Sequence, residues 1–340
     1  MTKLILDGFG TFLGRKRERF LVRKGDRKEE VPADEVESII LTSSGISVSA
    51  SALRLAIRKN VQVVFAHYGG WPYAILMPTA LSGSIRARRE QFAAYRDRRG
   101  VGLAKAFVVG KLRNQANLLK LLAKNRRQGQ PELADGLYGA GRRIDGICEG
   151  LKALEANRID DCRLRLMGEE AEGARVYWEA IKAILPEGFG FPGRETRGAK
   201  DPVNSMLNFG YQAILFPEAW KAVAYAGLDP YAGFLHADRP GKPSMVLDLM
   251  EEFRQQVVDR TLWALIARSA IRPEDAKVGP EGLPKELLGP LASKLEERLA
   301  SRVAFGDRQG ELRGFLHSQA RAMAKYLLEE GDYEPFILGW

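Results

Sequence analysis

Three histidines stand in the 340 residues, so each can be weighed for the chemistry of an imidazole. His67 ends an apolar, strand-like run and His317 lies in a basic helical stretch near Arg313 and Arg321; both read as structural or surface groups. His236 is different. It closes a loop that begins at Asp229-Pro230, ahead of a stretch able to open a helix with Pro243 at its entry and Ser244 as N-cap. Asp248 and Glu251 follow, and their i,i+3 spacing sets them on one helix face beside the apolar Leu247 and Met250. A carboxylate next to a buried stripe needs a positive partner. A divalent metal would supply it, and so would a bond to Arg254 or Lys242.

A second acid falls on an apolar stripe. In the helical stretch 159–185 the stripe reads Met167, Ala174, Tyr177, Ile181 and Ile184, and Glu170 lies on it, whereas Glu169 and Glu172 fall to its sides as solvated acids. An inward acid implies a base or a metal. One imidazole with two or three carboxylates is an oxygen-rich donor set that suits Mg²⁺ or Mn²⁺ better than structural zinc. Such a cation could stabilise a leaving oxygen and orient a nucleophile in phosphodiester chemistry. Other catalytic patterns are missing: there is no Walker loop, no GxGxxG after a strand, no HExxH and no GxSxG. Cys148 and Cys162 fit no zinc spacing and no disulfide framework, and read as small buried thiols.

Two unlike regions must position these groups. Up to Pro78 the chain reads as short strands, Lys3–Leu6, Thr11–Leu13, Arg19–Val22, Val36–Leu41, Val61–Ala66 and Pro72–Leu76, broken by turns such as Asp7-Gly8 and Gly69-Gly70, with one amphipathic helix over 48–58. A break follows at Pro78 to Gly83. Beyond it a 3.6-residue period takes over, with helices expected at 84–98, 101–127, 131–156, 159–185, 202–227, 244–270, 285–304 and 308–330. The fold class is therefore α+β: a small β-rich N-terminal domain, residues 1–80, and a larger all-α domain, residues 81–340. No apolar run is long enough to span a membrane and the N-terminus lacks a secretory leader, so a cytosolic protein is expected.

The net charge is +9, and its distribution is uneven. Residues 81–127 hold thirteen basic side chains against two acids, a larger excess than that of the whole chain. Solvated helices usually mix signs, so this segment reads as a footprint for a phosphate backbone. The expected contacts are Arg86, Arg88, Arg89, Lys111 and Arg113, joined by Arg194, Arg197 and Lys200 of the long loop 186–202 and by Arg254. The partner would be a nucleic acid held mainly through its phosphates.

The stretches Gly227 to His236 and Ser244 to Arg254, with Glu170 seven residues before Tyr177, resemble the CRISPR-associated protein one family, the integrase-nucleases of CRISPR adaptation. The opening Leu4 to Gly10, Arg89 and Gln91, the segment Lys111 to Gln115, and the run Asp201 to Tyr211 are similar to the family pattern too, so the resemblance covers nearly the whole chain. Many members carry Gly directly after the metal-binding glutamate, where this chain has Ala171. The resemblance implies a metal site on Glu170, His236 and Glu251 with Asp248 as a nearby catalytic acid, and a β-rich domain that mediates a homodimer. It also implies assembly with a dimer of a small second adaptation protein. The implied reaction inserts short foreign DNA into the repeat array by 3′-hydroxyl attack on a repeat phosphodiester, with cleavage of DNA when water is the nucleophile. Two other classes stay open at this point: a non-catalytic DNA-binding scaffold, and a metal-dependent phosphodiesterase for small substrates.

Overall fold

A computed structural model describes residues 2–67, 71–77, 85–196, 198–279 and 282–340. The expected break at Pro78 to Gly83, the domain boundary at 80/81, the Gly69-Gly70 turn and Arg197 lie outside the described residues. A β-rich region leads. Its strands are β1 (Thr2–Leu6), β2 (Thr11–Lys16), β3 (Arg19–Lys24), β4 (Arg27–Pro32), β5 (Val36–Leu41), β6 (Ser47–Val48), β7 (Gln62–Ala66) and β8 (Pro72–Leu76), with helix α1 (Ala50–Arg58) before β7. They form two four-stranded sheets, ordered β1-β5-β7-β8 and β4-β3-β2-β6. In the first, β1, β5 and β7 run parallel and β8 antiparallel. The charged β4 carries no apolar alternation because it is an edge strand, which is why the sequence pattern passes over it.

The first sheet is covered on both faces, which explains its continuous apolar runs. Ile39, Leu41 and Val63 face a core shared with Leu13, Phe20 and Leu55. Their neighbours Ile40, Val64 and Ala66 join the core of the helical region instead, as the two-residue period of a strand requires. Charged groups cross the same boundary: Lys3 on β1 meets Glu296 at 2.6 Å, and Arg313 meets Glu37 on β5 at 2.8 Å.

The remainder is mostly helical: α2 (Ile85–Ala94), α3 (Arg98–Lys124), α4 (Pro131–Lys152), α5 (Ile159–Lys182), α6 (Pro202–Phe209), α7 (Phe216–Tyr225), α8 (Ser244–Glu251), α9 (Arg260–Ala267), α10 (Lys285–Ala300) and α11 (Leu312–Leu327). Three departures from the expected helices have clear causes. The stretches 202–227 and 244–270 are each interrupted by a widened π-helical turn, at Gly210–Leu215 and Gln255–Asp259. The stretch around 302–311 is a hairpin, β9 (Arg302–Phe305) with β10 (Arg308–Glu311), turned by Gly306 at φ +57°, so the helical region is not all-α. Pro243, not Ser244, occupies the N-cap of α8, and the Ser244 hydroxyl donates to the Ala237 carbonyl at 3.3 Å. Among the described residues no helix is long and apolar enough to cross a membrane.

Helix α3 is the centre of the helical region, and residues after α11 strap across it. Asn114 donates to the Phe336 carbonyl at 2.7 Å and accepts from the Leu338 amide at 2.9 Å. Phe336 packs in a stacked pair with Phe253 and against Phe305 and Phe315. The fully buried Glu252 accepts from the Phe336 amide, the Tyr333 hydroxyl and the Gln319 amide. Burial outweighs these bonds and pushes its carboxyl up to about 7. An acid with a raised folded pKa costs nothing below the unfolded value and destabilises increasingly as pH rises to the folded one. Glu252→Gln keeps the shape without the charge, so it is expected to stabilise the fold by about 3 kcal/mol at pH 8 and hardly at all at pH 4. Thermal melts at the two pH values check this; an equal shift at both would refute it.

Candidate active site

Helices α3, α5 and α8 and the loop before α8 meet around one cavity of about 900 Å³. Its walls include Lys111 and Gln115 from α3, Glu170 from α5, His236 and Arg239 from the loop, and Glu251 from α8. Close approach of α5 to α3 depends on Gly173, where a Cβ would fall 2.3 Å from a Leu112 methyl. The buried stripe of α5 runs Leu166, Gly173, Val176, Tyr177 and Ile181. Met167, expected on that stripe, is exposed, yet Glu170 does turn inward.

Glu170 and Glu251 converge on one cation. The Lys111 ammonium lies 2.5 Å from Glu170 Oε1 and 2.6 Å from Glu251 Oε2. On its other oxygen Glu251 accepts from Arg254 Nε at 3.0 Å. Burial alone would raise the Glu251 carboxyl, but Arg254, Lys111 and His236 together hold it well below the ordinary carboxylate range. The sequence left Arg254, Lys242 or a metal as partners for this acid; Arg254 and Lys111 fill the role here.

Asp248 does not face the cavity. It is fully buried behind His236, accepting from the backbone amides of Phe234, Leu235 and His236 at 2.7, 3.0 and 3.0 Å, and it lies 2.6 Å from His236 Nδ1. The i,i+3 expectation put the two acids on one face, whereas Asp248 grips the loop and Glu251 the cavity. Gly233 allows that grip, because a Cβ there would come 2.6 Å from Ser244 Cβ. Gln91 on α2 holds the same loop through the carbonyls of Asp229 and Ala232, and Arg163 on α5 through that of Phe234. With Nδ1 engaged, Nε2 is the nitrogen that His236 has to offer.

The donor set fits a hard divalent cation. Two carboxylates from different helices already share one positive charge, and an imidazole backed by a carboxylate lines the same cavity. Glu251 Oε2 is buried with no hydrogen bond of good geometry, only the ammonium's charge. Among the described residues no three His, Cys, Asp or Glu side chains stand as a ready-made metal cluster, and Lys111 is the group between the two acids.

The expected DNA contacts divide. Arg86 and Arg89 on α2 and Lys200 are exposed, Arg86 lying 3.7 Å from Glu330, while Arg88 is half-buried with its Nε enclosed. Arg113 pairs with Asp145 and Glu149 on α4, and Lys120 with Asp145, so a neighbouring helix answers these two bases of α3. Arg194 is held by Asn204 and Asn208 of α6 and, with Arg254, stacks on the Tyr211 ring. Tyr211 in turn donates to the buried Asp259, whose carboxyl burial lifts to about 6. The Asp201 to Tyr211 run thus carries the side chains that seat Arg194 on the cavity wall. Sequence reading missed Gln115, Arg175, Arg239 and Gln255 among the lining groups. Arg239 was the most findable, three residues beyond His236.

The profile of the family described as CRISPR associated protein Cas1 matches residues 4–287. A CRISPR-associated endonuclease Cas1 of Archaeoglobus fulgidus is 39% identical over 99% of this chain and 100% of its own length. The chain belongs to the Cas1 family. It is thereby one of a group of CRISPR-associated endonucleases. The Cas1 fold extends further: a casposase bound to integration product superposes with TM-score 0.84 at 23% identity over 99% of this chain and 93% of that one. A Cas6-RT-Cas1–Cas2 complex gives TM-score 0.73 at 19% identity, covering 99% of this chain and 36% of that one.

Proposed function

We propose that this chain is a metal-dependent DNA integrase and endonuclease of CRISPR adaptation, with Glu170, His236 and Glu251 as ligands of Mg²⁺ or Mn²⁺. The observation that carries it is the convergence of acids from α5 and α8 and the Asp248-backed imidazole on one cavity. When bound, the cation supplies charge to offset that developing on a phosphodiester under attack. Asp248 fixes the ring of His236 by accepting from Nδ1, so that Nε2 keeps its lone pair. Arg194 and Arg239 on the cavity wall would hold phosphates on either side of the reacting one. In integration the 3′-oxygen of the donor strand bonds to a repeat phosphorus as a P–O bond of the repeat breaks, and the hydroxyl proton ends on the leaving oxygen or in solvent. With water in place of the hydroxyl the same exchange is cleavage.

The integration product held by the casposase supports DNA as substrate, here taken to be double-stranded DNA, and the Cas1–Cas2 complex supports a Cas2-type small protein as companion. In this reading residues 1–80 form the dimerisation region, residues 81–340 the catalytic and DNA-binding one, and the protein works in the cytoplasm. The test is strand transfer into a supercoiled repeat-bearing plasmid. Product is expected with Mn²⁺ and a donor ending in a 3′-hydroxyl, and none with chelator or with a donor ending in a 3′-phosphate. Equal product from the 3′-phosphate donor would exclude the integrase.

A further inference from the structure

The pairing of Lys111 reaches beyond packing. Its ammonium is the only group ion-paired with both Glu170 and Glu251 among the described residues, and it lies within 2.6 Å of an oxygen of each. With Arg254 also on Glu251, two cations already balance the two acids. Any further cation entering between the carboxylates meets this ammonium as a like charge at contact range. One turn along α3 stands Gln115, fully buried, lining the same cavity, with neither its Oε1 nor its Nε2 hydrogen-bonded. Helical side chains lean toward the N-terminus, so an i+4 residue reaches back over residue i. Gln115 Oε1 is therefore an unused acceptor one helical turn from Lys111 on the same cavity wall. A buried amide with no partner is costly unless something occupies it at some stage.

We propose that Lys111 is a built-in competitor for the catalytic cation: its ammonium holds the place between Glu170 and Glu251, and on metal entry moves to Gln115 Oε1. This rests on Glu170, His236 and Glu251 being the metal ligands. The side chain thus has two seats, one on the acids and one on the amide, and the difference between them sets how tightly the site takes a divalent ion.

The test is Mn²⁺ binding by the whole protein, read from the loss of the free-ion electron paramagnetic resonance signal. Lys111→Met removes the competitor and is expected to bind Mn²⁺ at least about tenfold more tightly than wild type. Gln115→Leu removes the second seat and is expected to shift affinity the other way, weaker by about threefold or more. The double variant is expected to match Lys111→Met, since without the ammonium the amide has nothing to receive. An unchanged or weakened affinity in Lys111→Met overturns the proposal. Should that variant not fold, Gln115→Leu decides alone: weaker binding supports the two seats and unchanged binding overturns them. Glu170→Gln separates the two levels. If it abolishes Mn²⁺ binding while Lys111→Met changes nothing, the competition fails and the metal site stands; if it binds as wild type does, the site and the competition fall together.

Discussion

His236→Ala is expected to lower strand transfer and DNA cleavage by at least about 100-fold, the upper end of what losing an outer-shell partner of a metal ligand costs. The variant isolates the imidazole. Asp248 still accepts from the amides of Phe234, Leu235 and residue 236, and Gln91 and Arg163 still hold the loop carbonyls, so the loop keeps its path. Melting temperature and DNA affinity should therefore stay near wild type while turnover falls. The reading is a plasmid strand-transfer assay with Mn²⁺ run beside a binding titration. Equal product from both proteins would remove His236 from the chemistry and leave a cavity that binds DNA without acting on it.

The largest stability effect is expected at the joint between sheet and helices. Arg313 on α11 serves Glu37, Glu218 and Glu296, three acids from three elements, and His317 adds a 2.5 Å contact to Glu218. Glu218 is fully buried; burial alone would raise its carboxyl, but His317 and Arg313 bring it down to about 2. Arg313→Met takes from Glu37 its ion-pair partner and leaves Glu218 with His317 alone and Glu296 with Lys3 alone, and is expected to cost about 3–5 kcal/mol at pH 7. The pH dependence has a definite sign. An acid whose folded pKa is depressed contributes fully above its unfolded value and loses that contribution as pH falls toward the folded one. For Glu218 the window runs from about 4.5 down to about 2 and carries about 3 kcal/mol. Glu37, which burial holds above the ordinary range, opposes part of this. Acid melts of wild type should steepen across that window, and those of Glu218→Gln should be flatter there; parallel curves would show that the pairs contribute nothing.

The site was legible where chemistry and period agree. An acid on an apolar stripe and an imidazole ahead of a short helix pointed to Glu170, His236, Asp248 and Glu251 as candidates, and only the family resemblance narrowed the expected ligands to Glu170, His236 and Glu251. What the sequence hid was direction. Asp248 and Glu251 are one helical turn apart, and only the path of the loop over Gly233 makes one face His236 and the other the cavity. Local charge counting misled at Arg113 for a similar reason: its partners Asp145 and Glu149 lie more than thirty residues away along the chain. The central strands β5 and β7 of the first sheet were visible because both their faces are buried, and β4 was not because neither of its faces is deeply so. The hairpin of β9 and β10 does carry a local mark, the two-residue Gly306-Asp307 turn between Phe305 and Arg308, which the helical reading of 285–304 and 308–330 passed over.

The two widened turns fix the spacing between the helix halves on either side of them. Each accommodates one amino acid more than a regular turn, with Tyr211 on the first and Gln255 on the second contributing to the cavity wall. In a regular α-helix one residue more would turn the upstream face by about 100° relative to the downstream one; the widened turn absorbs that residue, so both halves keep their packing. Deleting its codon would not shorten a loop; it would rotate one half of the helix against its neighbours. These are therefore the two places where the gene has little freedom of length, however freely its letters drift.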